Sequence, residues 1–181
     1  MNELILQLIN DYPTDGTYPY WWPRDNSMPE YAGVTEDLFY KDVLIAKSFN
    51  KRTYCCGLVF EVWLKSAIQK GIDISVEAMK DIRSHIFNAA GNRQGAVDIL
   101  PQLGLGQEVT YSEAQGGDLI QIWRKRGSGH SCIFIDHIET GIRYWSTQPP
   151  NGIGFKEEYH TPVKQSNDIV KYHICRPTWN G

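Results

Sequence analysis

The segment that most restricts the fold is 57–69. Read at helical spacing, Leu58, Val59, Phe60, Val62, Trp63, Leu64, Ala67 and Ile68 cover all but a narrow stripe of a helix surface. A helix that is apolar on most sides is stable only when it is buried on most sides, so the rest of the chain must be built around it. The remaining stripe carries Glu61 and Lys65, spaced four apart for an ion pair. Gly71 offers a C-terminal stop. Directly before the helix stands Tyr54-Cys55-Cys56-Gly57, which brings two thiols to its N-terminus.

Around this segment the sequence predicts a helical first half and a stranded second half. Leu4, Ile5, Leu8 and Ile9 give an amphipathic helix over 2–10. The apolar residues Leu38, Phe39, Val43, Leu44, Ile45 and Ala46 predict another over 36–48. Ser75 suits an N-cap for a helix running to about Ala90, with Val76, Met79, Ile82, Ile86 and Phe87 facing inward. Beyond Gly91, β-type runs follow: 107–111, 118–124, 131–135, 142–146 and 168–176. Gly141 after Glu139-Thr140 marks a hairpin between the third and fourth runs. Helices first and strands afterwards predict an α+β domain with an antiparallel sheet. No boundary divides 1–181, which is read as one domain. It has an N-terminal helical and aromatic-loop extension over 1–50 and a core over 52–176.

The stretch 12–23 contains Pro13, Pro19, Pro23 and Gly16, which exclude regular structure. It also contains Tyr12, Tyr18, Tyr20, Trp21 and Trp22, too much aromatic surface to leave in water. It must pack over the core, or form one wall of a groove in which Trp21, Trp22 and Tyr54 meet a substrate.

Several function classes are disfavoured. A formal charge of -3 on 181 residues gives no electrostatic case for nucleic acid or an anionic membrane. Arg124-Lys125-Arg126 lies beside Gly127-Ser128-Gly129 and reads as a polar loop. No segment is long and apolar enough for a membrane span. The first nine residues lack the basic and apolar regions of a signal peptide, which predicts a cytoplasmic protein or one exported by a route other than Sec. The four cysteines, Cys55, Cys56, Cys132 and Cys175, make neither a disulfide scaffold nor a CxxC metal pair.

Cys55 carries the sharpest chemical reading. A sulfur at the start of a helix lies at the positive end of its dipole, beside backbone N–H groups without helical partners. Such surroundings lower a thiol pKa from near 8.5 toward the range of about 3.5–7.5. The same N–H groups, Cys56 among them, suit a developing oxyanion. Gly57 allows close approach of a substrate carbonyl. The base should come from elsewhere, and His130 is the best placed of five histidines, since it opens an apolar strand after a Gly-Ser-Gly turn. A third polar group should orient its ring. Tyr144, Ser146 and Gln148 share one face of the next strand, with Gln148 the first choice and Ser146 the second. Cys56 is the rival nucleophile. Cys132 and Cys175 read as core.

Three short motifs in order resemble a known family. Cys55-Cys56-Gly57-Leu58-Val59 resembles the D-C-S-G-L-V segment of NlpC/P60 cell-wall peptidases. Gly117-Asp118-Leu119-Ile120 resembles their G-D-L-V strand, and Gly129-His130-Ser131-Cys132-Ile133-Phe134-Ile135 their G-H-V-G-I-Y-I strand. The related CHAP amidases share this plan. The resemblance spans about 52–148 and implies a papain-like fold. It puts the nucleophile at Cys55, the base at His130 and a third polar position near Ser146 to Gln148. Tyr54 stands where the family has an acidic residue, and the third position is not an evident His, Asn or Glu. The implied activity is hydrolysis of an amide bond, with a peptide or a peptidoglycan fragment as partner and no cofactor or metal. Two other readings stay open. The first is a cysteine acyltransferase on the same scaffold, and the second a non-catalytic module that binds peptide or glycan.

Overall fold

The computed structural model describes residues 1–23, 30–87, 94–160 and 169–179. In chain order the elements are α1 (Asn2–Ile9), β1 (Leu38–Tyr40), β2 (Val43–Ala46), α2 (Cys55–Gln69), α3 (Val76–Phe87), β3 (Gly106–Val109), β4 (Leu119–Arg124), β5 (Gly129–Ile138), β6 (Gly141–Gln148), β7 (Gly152–Tyr159) and β8 (Ile169–Pro177). Strands β3 to β8 form a six-stranded antiparallel sheet in the order β3-β8-β4-β5-β6-β7. The α+β class expected from the sequence is therefore present.

The apolar segment does what its composition demands. Leu58, Phe60, Val62, Trp63, Leu64 and Ala67 of α2 are essentially inaccessible. They share a core with Leu119, Ile133, Trp145, Ile153 and Cys175 from one sheet face and with Ile5, Met79 and Ile82 from the flanking helices. Each large side chain in such a core contributes about 1.5–3 kcal/mol relative to exposure. The opposite sheet face holds a smaller cluster of Ile120, Ile122, Cys132, Phe134, Ile142, Tyr144 and Ile174. Ala114 and Tyr111 cover it in part, and among the described residues α1, α2 and α3 contribute nothing to it. One face of the sheet is thus closed by helices and the other is more open.

Two carboxylates tie the periphery to this core. Asp118, wholly buried before β4, accepts from Asn2 Nδ2 at 2.7 Å, Gln115 N at 2.8 Å and both Arg176 Nε and Nη2 at 3.1 and 3.0 Å. It joins the start of α1 to β8. Glu61 does the same in the middle of α2. Of the polar stripe, Lys65 reaches solvent in part, whereas Glu61 is wholly buried. Its carboxylate takes Tyr12 Oη at 2.9 Å, Thr35 N at 2.7 Å, Thr35 Oγ1 and, as the i,i+4 pair expected, Lys65 Nζ at 2.7 Å. The Tyr12 hydroxyl is held well above its usual pKa, first by burial and then by the Glu61 charge, so it stays a donor.

Three expectations are corrected. Segment 36–48 is not a helix but the hairpin β1–β2, turning through Lys41 and Asp42 at φ of 48° and 61°. Strand alternation leaves Phe39 and Leu44 exposed at 54 % and 42 %, and these two apolar residues are what imitate a helical stripe. Strand β7 was not anticipated, because Gly152–Tyr159 is a glycine-containing, charged edge strand rather than an apolar run. Arg124 does not belong to a polar loop. It ends β4, only 9 % exposed, and makes a two-pronged ion pair with Glu158 of β7. The expected ends of α3 near Ala90 and of β8 at Asp168 lie outside the described residues.

Removing the Glu61 carboxylate takes the acceptor from three donors, Tyr12 Oη and the Thr35 N–H and hydroxyl, while Lys65 keeps Glu36. Glu61→Ala should lower unfolding stability in urea by about 3 kcal/mol. Lys65→Ala, at a half-exposed position, should cost at most about 1 kcal/mol. Equal losses from the two variants would show that Glu61 does not fasten the N-terminal segment to α2.

Candidate active site

The pairing of β5 with β6 runs from Ile138↔Gly141 to Ile133↔Trp145 and stops there, although β5 begins at Gly129 and β6 continues to Gln148. The sheet splits at this end, and Ser131 loses its β6 partner. Two side chains take over its backbone groups. Ser146 Oγ donates to Ser131 O at 2.8 Å, and Ser131 N–H donates to the sulfur of Cys55. The N-terminus of α2 is therefore inserted at the split.

Local sequence explains this insertion. Tyr54 is extended, at φ -140° and ψ 162°, and Leu58 N makes the first α2 hydrogen bond back to Tyr54 O at 3.0 Å. The N–H groups of Cys55, Cys56 and Gly57 therefore have no partner within the helix. Thr53 Oγ1 meets Thr147 Oγ1 at 2.8 Å, both wholly buried, and fixes the approach to Cys55 against β6. Gly57 lies against the backbone of Ala32 and Gly33, and a Cβ would collide with Ala32 O. Its smallness serves chain packing, not the approach of a substrate as the sequence suggested.

The adjacent cysteines are sharply distinguished. Cys55 is 8 % exposed, whereas Cys56, Cys132 and Cys175 are all at 0 %. Cys56 belongs to the core between α2 and the sheet. The Cys55 thiol is held well below its ordinary pKa. The hydrogen bond from the Cys56 thiol is the largest cause, burial opposes it, and the charge of His130, polar contact with its ring and the Ser131 N–H add to it. Cys56 is pushed well above its ordinary value by the same hydrogen bond and by burial, which suits a neutral donor. The shared hydrogen bond thus biases Cys55 toward thiolate and Cys56 toward thiol.

His130 reaches the split from the other side. Strand alternation puts it on the open face with Cys132, Phe134 and Tyr144, and its ring meets Tyr144 edge to face at 5.6 Å and 61°. It is 6 % exposed, and its buried Nε2 has no hydrogen-bond partner among the described residues. Gln148 shares the cleft with His130 but does not bond to it. Its Oε1 accepts from Tyr144 Oη at 3.0 Å. Ser146, with its hydroxyl hydrogen on Ser131 O, braces the split rather than holding the ring. Tyr144 Oη also lies 3.1 Å from Glu158 Oε2, and Glu158 is locked to Arg124. This buried chain behind His130 was invisible in the sequence, since Glu158 belongs to the unanticipated β7.

The cleft bordered by His130 has a volume of about 540 Å³. Its aromatic lining is Tyr20, Tyr144 and Tyr159, and Tyr20 is brought there by a bridge to Thr53. Burial, and then the charge of Cys55, push the Tyr20 hydroxyl up to about 12. The aromatic loop does pack over the core, but the tryptophans are elsewhere. Trp21 stacks with Tyr31 at 5.2 Å, and Trp22, 43 % exposed, meets Tyr54 at 4.7 Å. Tyr54 is only 5 % exposed, with its hydroxyl on Tyr31 O, and does not form a groove wall. Sequence reasoning passed over Tyr20 because only the bridge to Thr53 distinguishes it from its aromatic neighbours.

These contacts fix the behaviour of the thiol with pH. Donors to the thiolate lower its pKa, so alkylation of Cys55 by iodoacetamide should have a midpoint well below the ordinary 8.5 or so and fall only in more acid solution. Cys56→Ala removes the largest stabilising contact and should move that midpoint upward, while Cys56→Ser retains a donor and should move it less. An unchanged midpoint in Cys56→Ala would contradict this assignment. No protein-family model matches this chain, and no curated protein matches it.

Proposed function

We propose that the protein is a cysteine hydrolase of the papain-like, NlpC/P60 type that cleaves an amide bond in a peptide or a peptidoglycan stem peptide. The observation that carries this reading is the Cys55 sulfur. It is the one thiol with surface exposure, it is biased toward thiolate, and it sits at a helix N-terminus beside an imidazole.

In this reading the Cys55 thiolate attacks the amide carbonyl carbon and forms the C–S bond. Negative charge passes to the carbonyl oxygen, which the N–H groups of Cys55 and Cys56, lacking partners within the helix, receive. His130 gives a proton to the amide nitrogen as the C–N bond breaks, and the amine departs. Water then attacks the thioester, His130 takes its proton, and Cys55 leaves as thiolate. Chemistry of this kind needs a fixed imidazole. Here the ring of Tyr144, itself held by Glu158 and Gln148, supports that role by packing instead of a hydrogen bond to Nε2.

The test is turnover of peptidoglycan stem peptides and fluorogenic peptide amides by wild type and three variants. Cys55→Ala and His130→Ala should each lose at least about a thousandfold in kcat/KM, and Cys56→Ala about tenfold. Retention of activity by Cys55→Ala would overturn the proposal.

A further inference from the structure

The cleft on the open face belongs to one side of the scissile bond. His130 borders it and Cys55 does not. The general acid delivers its proton to the departing nitrogen, so the amine half of the substrate extends into the space that His130 faces. The acyl half remains with the sulfur at the split.

The charge of this space is uneven. Arg124 is neutralised by Glu158. Arg126, at the tip of the β4–β5 turn, uses Nε on Ser128 Oγ at 3.1 Å, and Lys156 of β7 places Nζ 3.3 Å from Pro149 O. Among the described residues neither cation is in an ion pair. Register puts Lys156 opposite Tyr144, on the face that carries His130. Glu157 also borders the cleft, but alternation turns its carboxylate toward the other face. There Arg143 is its cross-strand partner and Tyr159 Oη donates to it at 3.2 Å. Two cations that border the cleft, Arg126 and Lys156, thus remain outside any ion pair among the described residues, in a space of about 540 Å³, a volume in the range of small-molecule sites.

Resting on the hydrolase reading above, we infer that this cleft is the leaving-group subsite and takes amines that bear a carboxylate, such as a C-terminal amino acid or short peptide. Arg126 offers a forked pair of donors and Lys156 a point charge, and both suit a carboxylate. The same subsite admits such an amine in the reverse sense. The free amine then attacks the Cys55 thioester, the C–N bond forms as the C–S bond breaks, His130 accepts the amine proton, and the thiolate is restored.

The experiment loads the full chain with an acetyl group from p-nitrophenyl acetate and offers glycylglycine or glycylglycinamide at matched free-amine concentrations. Glycylglycine should half-saturate aminolysis at a concentration about tenfold lower than its amide. The Arg126→Gln, Lys156→Gln double variant should bring that ratio close to one. Lys125→Gln, on the same turn but outside the cleft, should keep it. Equal half-saturation by both amines in wild type overturns the subsite. If no acetyl-enzyme forms, the hydrolase reading fails instead. The subsite is then read from NMR titration of the Cys55→Ala protein with the same two dipeptides. Shifts at Arg126 and Lys156 with glycylglycine alone support it, and identical or absent shifts overturn it.

Discussion

The parting of β5 from β6 beyond Ile133↔Trp145 is the constraint on which the site depends. A continuous ladder would use Ser131 N–H and O within the sheet, and the α2 N-terminus would have nowhere to anchor. Because the strands separate, Ser146 takes the carbonyl and Cys55 takes the N–H. One backbone group thus joins the buried helix to the sheet and holds charge on the sulfur. The arrangement also lets two groups on opposite sides of the sheet meet, Cys55 from the helical side and His130 from the open side.

Rigidity around the split comes from buried polar contacts whose removal leaves unsatisfied partners. Thr53 and Thr147 clamp the chain before α2 to β6. Glu158 and Arg124 bridge β7 to β4 across the open face, with Tyr144 between them and His130. A buried ion pair of this kind adds little net stability against an apolar replacement, because desolvation offsets most of its attraction. Its contribution in this fold is geometric: it fixes the tyrosine on which the imidazole rests.

Much of this was legible in the sequence. The apolar surface of α2 demanded a central helix, and the cysteines at its start could stand nowhere but at its N-terminus. Alternation in 118–124, 131–135 and 142–146 gave the middle of the sheet, and it gave the hairpin that brings Ser146 and Gln148 near His130. Other features left no local trace. The β1–β2 turn uses Lys41-Asp42, without the glycine or asparagine that usually marks such turns, and exposed Phe39 and Leu44 blurred its alternation. Strand β7 is held by pairing with β6 and not by its own apolar pattern, so Glu158 and Lys156 were out of sight. Gly57 was read for a substrate and instead accommodates Ala32 and Gly33, a long-range contact that spacing along the chain does not encode.

The central claim is that Cys55, and not Cys56, is the nucleophile and that His130 works with it. The most direct measurement is peptide mapping of protein acylated by p-nitrophenyl acetate at neutral pH and quenched in acid. The account predicts one acetyl group on Cys55 in wild type, with the rate of its appearance strongly reduced in His130→Ala. Acetyl on Cys56, or acylation of Cys55 at the same rate without His130, would contradict it.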